Sequence, residues 1–181
     1  VAIRLSKHAS LSSTMPSILA GSHTSIQMST TDNELIVAEA LTWVGTPYHH
    51  QACVKGVGVD CAMLVAGVAN AVGIEVLNTP TNYSTQWNLH NEDPWLIRVL
   101  EEYGCKQVPI EETKPGHIIC FKVGHTFGHL GIMVSDTTFV HACIQRKSRG
   151  SELGVVTHVT LGAEWKRRHL ATYEFPQRKT K

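Results

Sequence analysis

The sequence predicts an α+β fold, with helices in the first part of the domain and an antiparallel β-sheet in the second. Up to about residue 104, apolar residues recur at helical spacing between helix start and stop signals. From residue 117 onward, short runs rich in β-branched and aromatic residues alternate with turn residues, which is typical of strands. No internal repeat divides the 181 residues, so a single folded domain is expected.

The two ends of the chain differ from its middle. Residues 1–30 are rich in Ser and Thr and have no sustained apolar period, which predicts an arm or linker. Residues 31–176 are expected to form the folded domain. Residues 177–181 are expected to be a solvated basic tail.

Two helices are predicted from their end signals. Thr31 and Glu34 form a capping-box pattern, and Gly45 is expected to end the helix that they begin. Later in the chain, Asp93-Pro94 provides an N-cap followed by proline at the first helical position, and Gly104 is expected to close that helix. Five strands are then expected over residues 117–123, 130–134, 138–143, 155–160 and 169–175.

The central helix begins at a cysteine. A glycine-containing loop leads into Asp60, which is a good N-cap residue, and an apolar run then continues to a stop at Gly73. Cys61 is therefore expected in the first turn, where unpaired N–H groups and the helix dipole favour a thiolate. A small buried core cysteine is the alternative, and the local pattern leaves both interpretations open.

Two histidines flank a turn between predicted strands. The turn is expected at Ser135-Asp136, and a hairpin symmetric about it would put His129 directly opposite His141. One imidazole can then orient the other, as the third member of a catalytic triad does. With Cys61 as nucleophile and His129 as base, the set predicts a thiol hydrolase.

Composition excludes several other classes of protein. The net charge of +1 and the 17% of charged residues give no signal for nucleic-acid binding, and no apolar run is long enough to predict membrane insertion or a secretory signal. The five cysteines are odd in number and widely spaced, so reduced thiols are expected, and the lack of a CxxC pair disfavours a structural zinc knuckle. No cofactor is expected. Metal binding is a rival interpretation, because several possible ligands are close in sequence: His117, Cys120, His125, His129, His141 and Cys143. It is less favoured, because His125 and His129 lie on either side of Gly128 and so are not expected to have the helical i, i+4 geometry of a zinc site.

Several ordered motifs resemble the NlpC-type cell-wall cysteine peptidases, the NlpC/p-sixty family. The resemblance covers roughly residues 35–175 and rests on Trp43-Val44-Gly45-Thr46-Pro47-Tyr48, Asp60-Cys61, Pro115-Gly116, His129-Leu130-Gly131-Ile132, Phe139-Val140-His141-Ala142 and Trp165-Lys166-Arg167-Arg168. Tyr48-His49-His50-Gln51-Ala52 with Gly56-Val57-Gly58 is most similar to the branch found in phages and gene transfer agents.

The resemblance implies a papain-like fold in which Cys61 is the nucleophile, His129 the base and His141 the orienting residue. It also implies hydrolysis of peptidoglycan stem peptides, at the bond between D-γ-glutamate and a diamino acid. Tyr48 and Asp60 match positions that bind the free amine of the stem or position the site. For the phage branch, the expected place is the virion tail, with other tail-tip proteins as partners, after synthesis in the host cytoplasm.

This sequence departs from the family pattern at two places. Ala62-Met63 stands where Ser-Gly is usual after the cysteine, and His117 stands where an acidic residue usually follows Pro-Gly. Two further functions therefore stay open. One is a non-enzymatic tail-tip component that retains the fold, and the other is an acyltransferase or amidase that uses the same thiol chemistry.

Overall fold

The structure is a computed structural model that describes residues 31–76, 83, 94–123, 126–146 and 152–178. The predicted arm at residues 1–30, the proposed cap Asp93, the ligand candidate His125 and the last three residues of the basic tail lie outside these ranges. Arg178, at the start of that tail, is described, and its Nε lies 3.2 Å from Asp32 Oδ1.

The described part of the chain contains four α-helices, a 3₁₀ turn and eight strands. The helices are α1 (Asp32–Leu41), α2 (Cys61–Ala71), α3 (Trp95–Glu102) and α4 (Ala163–Arg168), and the 3₁₀ turn is Ile110–Glu112. The strands are β1 (Cys53–Val54), β2 (Gly58–Val59), β3 (Lys106–Val108), β4 (Ile118–Val123), β5 (Thr126–Met133), β6 (Thr138–Arg146), β7 (Glu152–Thr160) and β8 (His169–Glu174).

Side-chain caps fix the starts of the first two helices. The Thr31 hydroxyl accepts the Glu34 N–H at 3.3 Å, and the Glu34 carboxylate accepts the Thr31 N–H at 2.7 Å. Asp60 caps α2 by accepting the Met63 N–H at 2.9 Å. Both predicted helix starts are therefore present, and each rests on hydrogen bonds between residues three positions apart.

Two other predicted helix boundaries, the end of α1 and the start of α3, are wrong. α1 stops at Leu41, and turns fill residues 42–45 before Gly45 reaches a φ of 91°. In α3, Pro94 is the N-cap and not the first helical residue, because its ψ of 48° lies outside the helical range while its carbonyl accepts the Ile97 N–H at 2.9 Å. End signals thus located these helices to within a few residues.

The main sheet has six antiparallel strands in the order β3-β8-β4-β5-β6-β7, and β1 pairs with β2 in a separate ribbon. The predicted α+β class is confirmed. The strands β5, β6 and β7 are longer than predicted, since pairing of β6 with β7 continues from Thr138–Thr160 to Arg146–Glu152. The short elements β1, β2, β3 and α4 were not predicted.

Alternate residues of the sheet face two separate clusters. One face packs on α2 and presents mainly aliphatic side chains, among them Leu130, Ile132, Val140 and Ala142. The opposite face presents Ile119, Phe121, Met133 and Phe139, against which Trp165 of α4 packs. The period of two along each strand produces this division.

Within the described ranges, every helix is too short or too polar to span a bilayer.

Candidate active site

Cys61 is the first residue of α2, as predicted, and its side chain is partly exposed. The two residues after it, Ala62 and Met63, are 7% and 2% exposed and lie in the core on the α2 side. The departure from the usual Ser-Gly therefore changes core packing beneath the nucleophile position, and neither side chain lines the cleft described below.

Asp60 is the centre of a polar network below the start of α2. It is 1% exposed, and its Oδ2 accepts the Gln51 N–H at 2.8 Å and the Tyr83 hydroxyl. The His50 Nδ1 lies 3.6 Å from the same oxygen. Since the Met63 N–H occupies Oδ1, both carboxylate oxygens are engaged within the protein.

Gln51 adopts an unfavourable backbone conformation in this network. Its φ of 60° is in the left-handed region, which is unusual for a residue other than glycine. Its side-chain Nε2 donates to the Tyr83 carbonyl at 2.7 Å, and the His50 Nε2 lies 2.7 Å from that same carbonyl. These bonds tie the segment before the glycine loop to Tyr83, more than thirty residues later in the chain.

The two histidines from the hairpin meet as expected, but through a different register. His129 Nε2 lies 2.7 Å from His141 Nδ1, and the two rings are nearly perpendicular. The predicted direct pairing is wrong, because Ile132 pairs with Val140 and Met133 with Phe139, a shift of two residues. The loop takes residues 134–137, and a shift of two keeps both imidazoles on the same face as diagonal neighbours.

A cleft of about 240 Å³ brings three of the predicted site residues together. Cys61, His129 and Tyr48 line it with Cys143, Trp165 and other residues of β6 and α4. A larger groove of about 630 Å³ beside the start of α1 has no thiol or imidazole in its lining. The thiol and imidazole that line the smaller cleft therefore assign the candidate active site to that cleft.

Burial keeps the thiol and the imidazoles neutral. It raises the pKa of Cys61 to about 12, with a further contribution from the Asp60 carboxylate, while the Leu130 and Ala62 backbone N–H groups act in the opposite direction. Burial, with His141 alongside, lowers the pKa of His129 to about 3, and burial lowers the pKa of His141 to about 4. The expected preformed thiolate is thus opposed by desolvation, which outweighs the helix N-terminus.

An aromatic cluster surrounds the two imidazoles. Trp165 stacks on His129 with ring centroids 5.8 Å apart and meets His141 edge-on at 5.1 Å. Phe139 lies 4.9 Å from His141 between centroids, and Phe121 lies 6.1 Å from His129. The rings shield the histidine pair from water, which is the source of the lowered pKa values.

Tyr48 reaches the cleft because two backbone segments approach closely. Its N–H donates to the Gly154 carbonyl at 2.7 Å, and a side chain at Gly154 would collide with the Tyr48 Cβ at 2.4 Å from the added atom. Gly154 on β7 therefore allows the Tyr48 segment to lie against the sheet.

The remaining candidates from the sequence divide into two groups. Cys120 is fully buried in the core on the α2 side. His117 is 2% exposed, and neither of its ring nitrogens has a hydrogen-bond partner among the described residues. In contrast, His129 and Cys143 line the cleft, and a ring nitrogen of His141 lies within 4.8 Å of a ligand atom of each of them.

Sequence reasoning missed the residues that come from distant segments. His50, Gln51 and Tyr83 contact Asp60, and Trp165 covers the histidine pair. No spacing in the sequence connects Tyr83 with Asp60. Trp165 belonged to a recognised motif without an assigned contact.

Comparison with known proteins identifies similar sequences and folds. A sequence model of the NlpC/P60 family matches residues 45–170. A solved protein from Staphylococcus aureus, described as similar to lipoprotein of the NLP/P60 family, shares 18% identity and a TM-score of 0.51 over 83% of this chain and 44% of its own. This chain thus spans less than half the length of that protein. No curated protein matches by sequence.

Two further structures align over most of their own length. The NlpC/p60 domain of the peptidoglycan hydrolase SagA shares 16% identity and a TM-score of 0.49, over 80% of this chain and 98% of its own. The P60 domain of an antigen from M. avium subspecies paratuberculosis shares 17% identity and a TM-score of 0.47, over 79% and 93%. The likeness to the Staphylococcus aureus structure confirms the predicted papain-like α+β fold.

Proposed function

The chain belongs to the NlpC/P60 family of cysteine peptidases and peptidoglycan hydrolases, and from this premise we propose that it is a cysteine endopeptidase acting on peptidoglycan stem peptides. Cys61 is the nucleophile, His129 is the base and His141 orients His129. The observation that supports these roles best is the cleft in which the partly exposed Cys61 lies with His129, while His141 is hydrogen-bonded to His129 from the neighbouring strand.

The neutral resting state defines the first chemical step. The Cys61 sulfur attacks the carbonyl carbon of the scissile amide while His129 takes the thiol proton. His129 Nε2 is engaged by His141, so Nδ1 is the nitrogen left for this transfer. A proton that moves during the attack suits a thiol and an imidazole whose charged forms are both disfavoured by burial.

Backbone N–H groups at the start of α2 stabilise the oxyanion that forms. Asp60 takes the Met63 N–H, and the Asp60 carbonyl takes the Leu64 N–H at 2.8 Å. The N–H groups of Cys61 and Ala62 precede the first intrahelical bond, and they are the donors that we assign to the oxyanion. The C–N bond then breaks, His129 gives its proton to the leaving amine, and water hydrolyses the thioester to release the acid.

Tyr48 and Asp60 have different roles in this proposal. Tyr48 lines the cleft beside Cys61 and is placed to contact the stem peptide. Asp60 is almost fully buried, and its oxygens accept bonds from Gln51, Met63 and Tyr83. This supports a role for Asp60 in positioning the start of α2 over direct binding of the amine. The bond cut is that between D-γ-glutamate and the diamino acid.

The proposed setting is the tail of a phage or gene-transfer-agent-like particle. The support is the resemblance of the segment that starts at Tyr48-His49-His50-Gln51-Ala52 to the phage and gene-transfer-agent branch. In the structure, His50 and Gln51 of this segment contact Asp60 below the nucleophile. The enzyme is made in the host cytoplasm and becomes a component of the virion together with other tail-tip proteins. It opens the cell wall locally during genome ejection. Detection of the chain by mass spectrometry in gradient-purified particles tests this setting, and its absence from them contradicts it.

Digestion of purified muropeptides tests the activity itself. The wild-type chain is expected to give two products whose masses correspond to hydrolysis of the γ-glutamyl bond, and Cys61→Ala is expected to give none. Cys53→Ser is the matched control, because Cys53 is an exposed residue outside the cleft, and a serine hydroxyl can keep its hydrogen bond to the Met63 carbonyl. Cleavage that persists in Cys61→Ala refutes the proposal. A product with an added acyl group, or loss of the whole stem peptide, identifies an acyltransferase or an amidase.

A non-catalytic tail-tip component is the second candidate, and Ala62-Met63 is the feature that favours it. Labelling of Cys61 with a small thiol reagent measures how accessible its sulfur is, and this distinguishes the catalytic from the non-catalytic candidate. A Cys61 that reacts no faster than the buried Cys120, together with no muropeptide cleavage, supports the structural role.

A further inference from the structure

Three metal-binding side chains converge in the candidate active site. One ring nitrogen each of His129 and His141 and the Sγ of Cys143 all lie within 4.8 Å of one another. In the described ranges, no other set of three His, Cys, Asp or Glu side chains is close enough to hold one ion. We propose that these three residues bind a thiophilic divalent cation, with Zn²⁺ the best fit, and that the bound cation inhibits the peptidase.

The donor set matches the coordination chemistry of zinc. Zinc takes imidazole nitrogen at about 2.0–2.1 Å and thiolate sulfur at about 2.3 Å, so ligand atoms in a tetrahedral site are about 3.3–3.6 Å apart. The imidazole nitrogens, now 2.7 Å apart, must separate slightly. The Cys143 sulfur must move by no more than about 1 Å relative to them, which a side-chain rotation provides.

Rigid strands hold the three ligands on one side of the sheet. His141 and Cys143 are two residues apart on β6, so both side chains project from the same face. The pairing of β6 with β7 continues through both residues, with His141 opposite Thr157 and Cys143 opposite Val155. Ligands on paired strands give a more defined site than ligands on loops.

An ion can reach this site from solvent. Cys143 is half-buried and lines the same cleft as Cys61 and His129. Three protein ligands leave the fourth tetrahedral position for a water molecule. The sequence made a metal site unfavoured because the histidines lack helical spacing, whereas the ligands here come from two strands.

The proton balance explains why the bound ion would inhibit. The Cys143 thiol loses its proton to the buffer on binding the metal. The N–H shared between the two imidazoles moves to the other nitrogen of its own ring, so that both facing lone pairs are free. A metal on His129 Nε2 leaves Nδ1 protonated, and a metal on Nδ1 blocks that atom directly. In either case His129 cannot accept the Cys61 proton, a consequence that rests on the proposed function.

Cobalt titration of the metal-free full chain tests binding without any need for activity. One equivalent of Co²⁺ is expected to produce an ultraviolet sulfur-to-cobalt charge-transfer band and the visible bands of a tetrahedral ion, and Zn²⁺ is expected to displace it. Both Cys143→Ala and Cys143→Ser should lose the charge-transfer band, while Cys53→Ser and Cys61→Ala should retain one. Circular dichroism confirms that each variant is folded. A band that survives in both Cys143 variants, or no band in the wild-type chain, overturns the site.

Zinc inhibition of muropeptide cleavage tests the consequence. Zn²⁺ is expected to stop cleavage reversibly, with recovery on addition of a chelator. The Zn²⁺ concentration for half-inhibition, relative to each variant's own rate, should rise at least about 10-fold in Cys143→Ala, on the scale of losing a metal-site partner. A metal-free chain that cleaves nothing while cobalt still binds disproves the proposed function alone. An active chain whose zinc sensitivity is unchanged in Cys143→Ala disproves inhibition at this site.

Discussion

The two faces of the main sheet are built from the same strands but have opposite character. The face toward α2 is aliphatic, and its Ile132 and Val140 are fully buried together with Leu64 of α2. The face toward α4 contains the hydrogen-bonded imidazoles of His129 and His141 within an aromatic cluster. The first face is a tightly packed apolar core, and the second is a water-poor setting for two titratable groups.

The difference shows how one sheet serves both stability and chemistry. Alternation along β5 and β6 sends every second side chain to each face, so core packing and histidine placement are set by the same register. Cys61 comes from the helix that covers the aliphatic face, and His129 comes from the other face. The two meet in the cleft. Changes on the aliphatic face should therefore affect folding, and changes on the aromatic face should affect rate and pH dependence.

Replacement of the proposed base should give the largest effect. His129→Gln removes the group that accepts the Cys61 proton, and the rate of muropeptide cleavage is expected to fall by about 10²–10⁴-fold. Initial rates measured by chromatography of the products check this. His158→Gln is the matched control, because His158 is an exposed histidine on β7. A His129→Gln rate close to wild type would assign the base to another residue.

Truncation on the aliphatic face should mainly affect stability. Leu64 is fully buried on α2, and Leu64→Ala is expected to lower the free energy of unfolding by about 2–5 kcal/mol through lost burial and a residual cavity. Leu41→Ala, at a side chain that is 40% exposed, should change it by about 0.5 kcal/mol or less. Urea denaturation measures both. Equal losses in the two variants would contradict the packing described for α2.

Acid should destabilise the protein through the aromatic face. The pKa values of His129 and His141 are lowered to about 3 and about 4, so below pH 6.5 the unfolded chain binds protons that the native state does not. The contribution of these two imidazoles to the free energy of unfolding is therefore largest above pH 6.5. It is expected to fall by on the order of 1 kcal/mol per pH unit for each imidazole between pH 6.5 and about 4.

A double variant isolates the contribution of this pair. His129→Gln with His141→Gln should reduce the slope of stability against pH, measured by urea denaturation at a series of pH values. A residual slope is expected, because burial also lowers the pKa values of His117 and His169. An unchanged slope would mean that the pair is not desolvated in the native state.

Loss of the aromatic cover should give the smallest effect. Trp165→Leu removes the ring that stacks on His129, and kcat is expected to fall by about tenfold because the imidazole is held less rigidly. Trp165→Phe retains an aromatic face and should lose less. Steady-state kinetics on a muropeptide separates kcat from KM. Equal losses in the two variants would show that the stacked ring contributes only apolar volume.

The parts of the fold that could be predicted depend on interactions between near neighbours. The caps at Thr31 and Asp60 act over three residues, and the strand patterns follow from alternation within each strand. The site was predicted where it follows from such local rules, with Cys61 at the first position of α2. The exact ends of α1 and α3 were not, since turn and cap geometry there depends on packing with the rest of the domain.

The sequence by itself determined the α+β class, the start of the central helix and three of the residues that line the cleft, Tyr48, Cys61 and His129. The tertiary structure decided the hairpin register, the contact of Tyr83 with Asp60, the position of Cys143 beside the two imidazoles and the neutral state of the Cys61 thiol. The reason is physical. Caps and side-chain alternation are set by residues a few positions apart, whereas register, long-range contacts and desolvation depend on every segment that packs around a group.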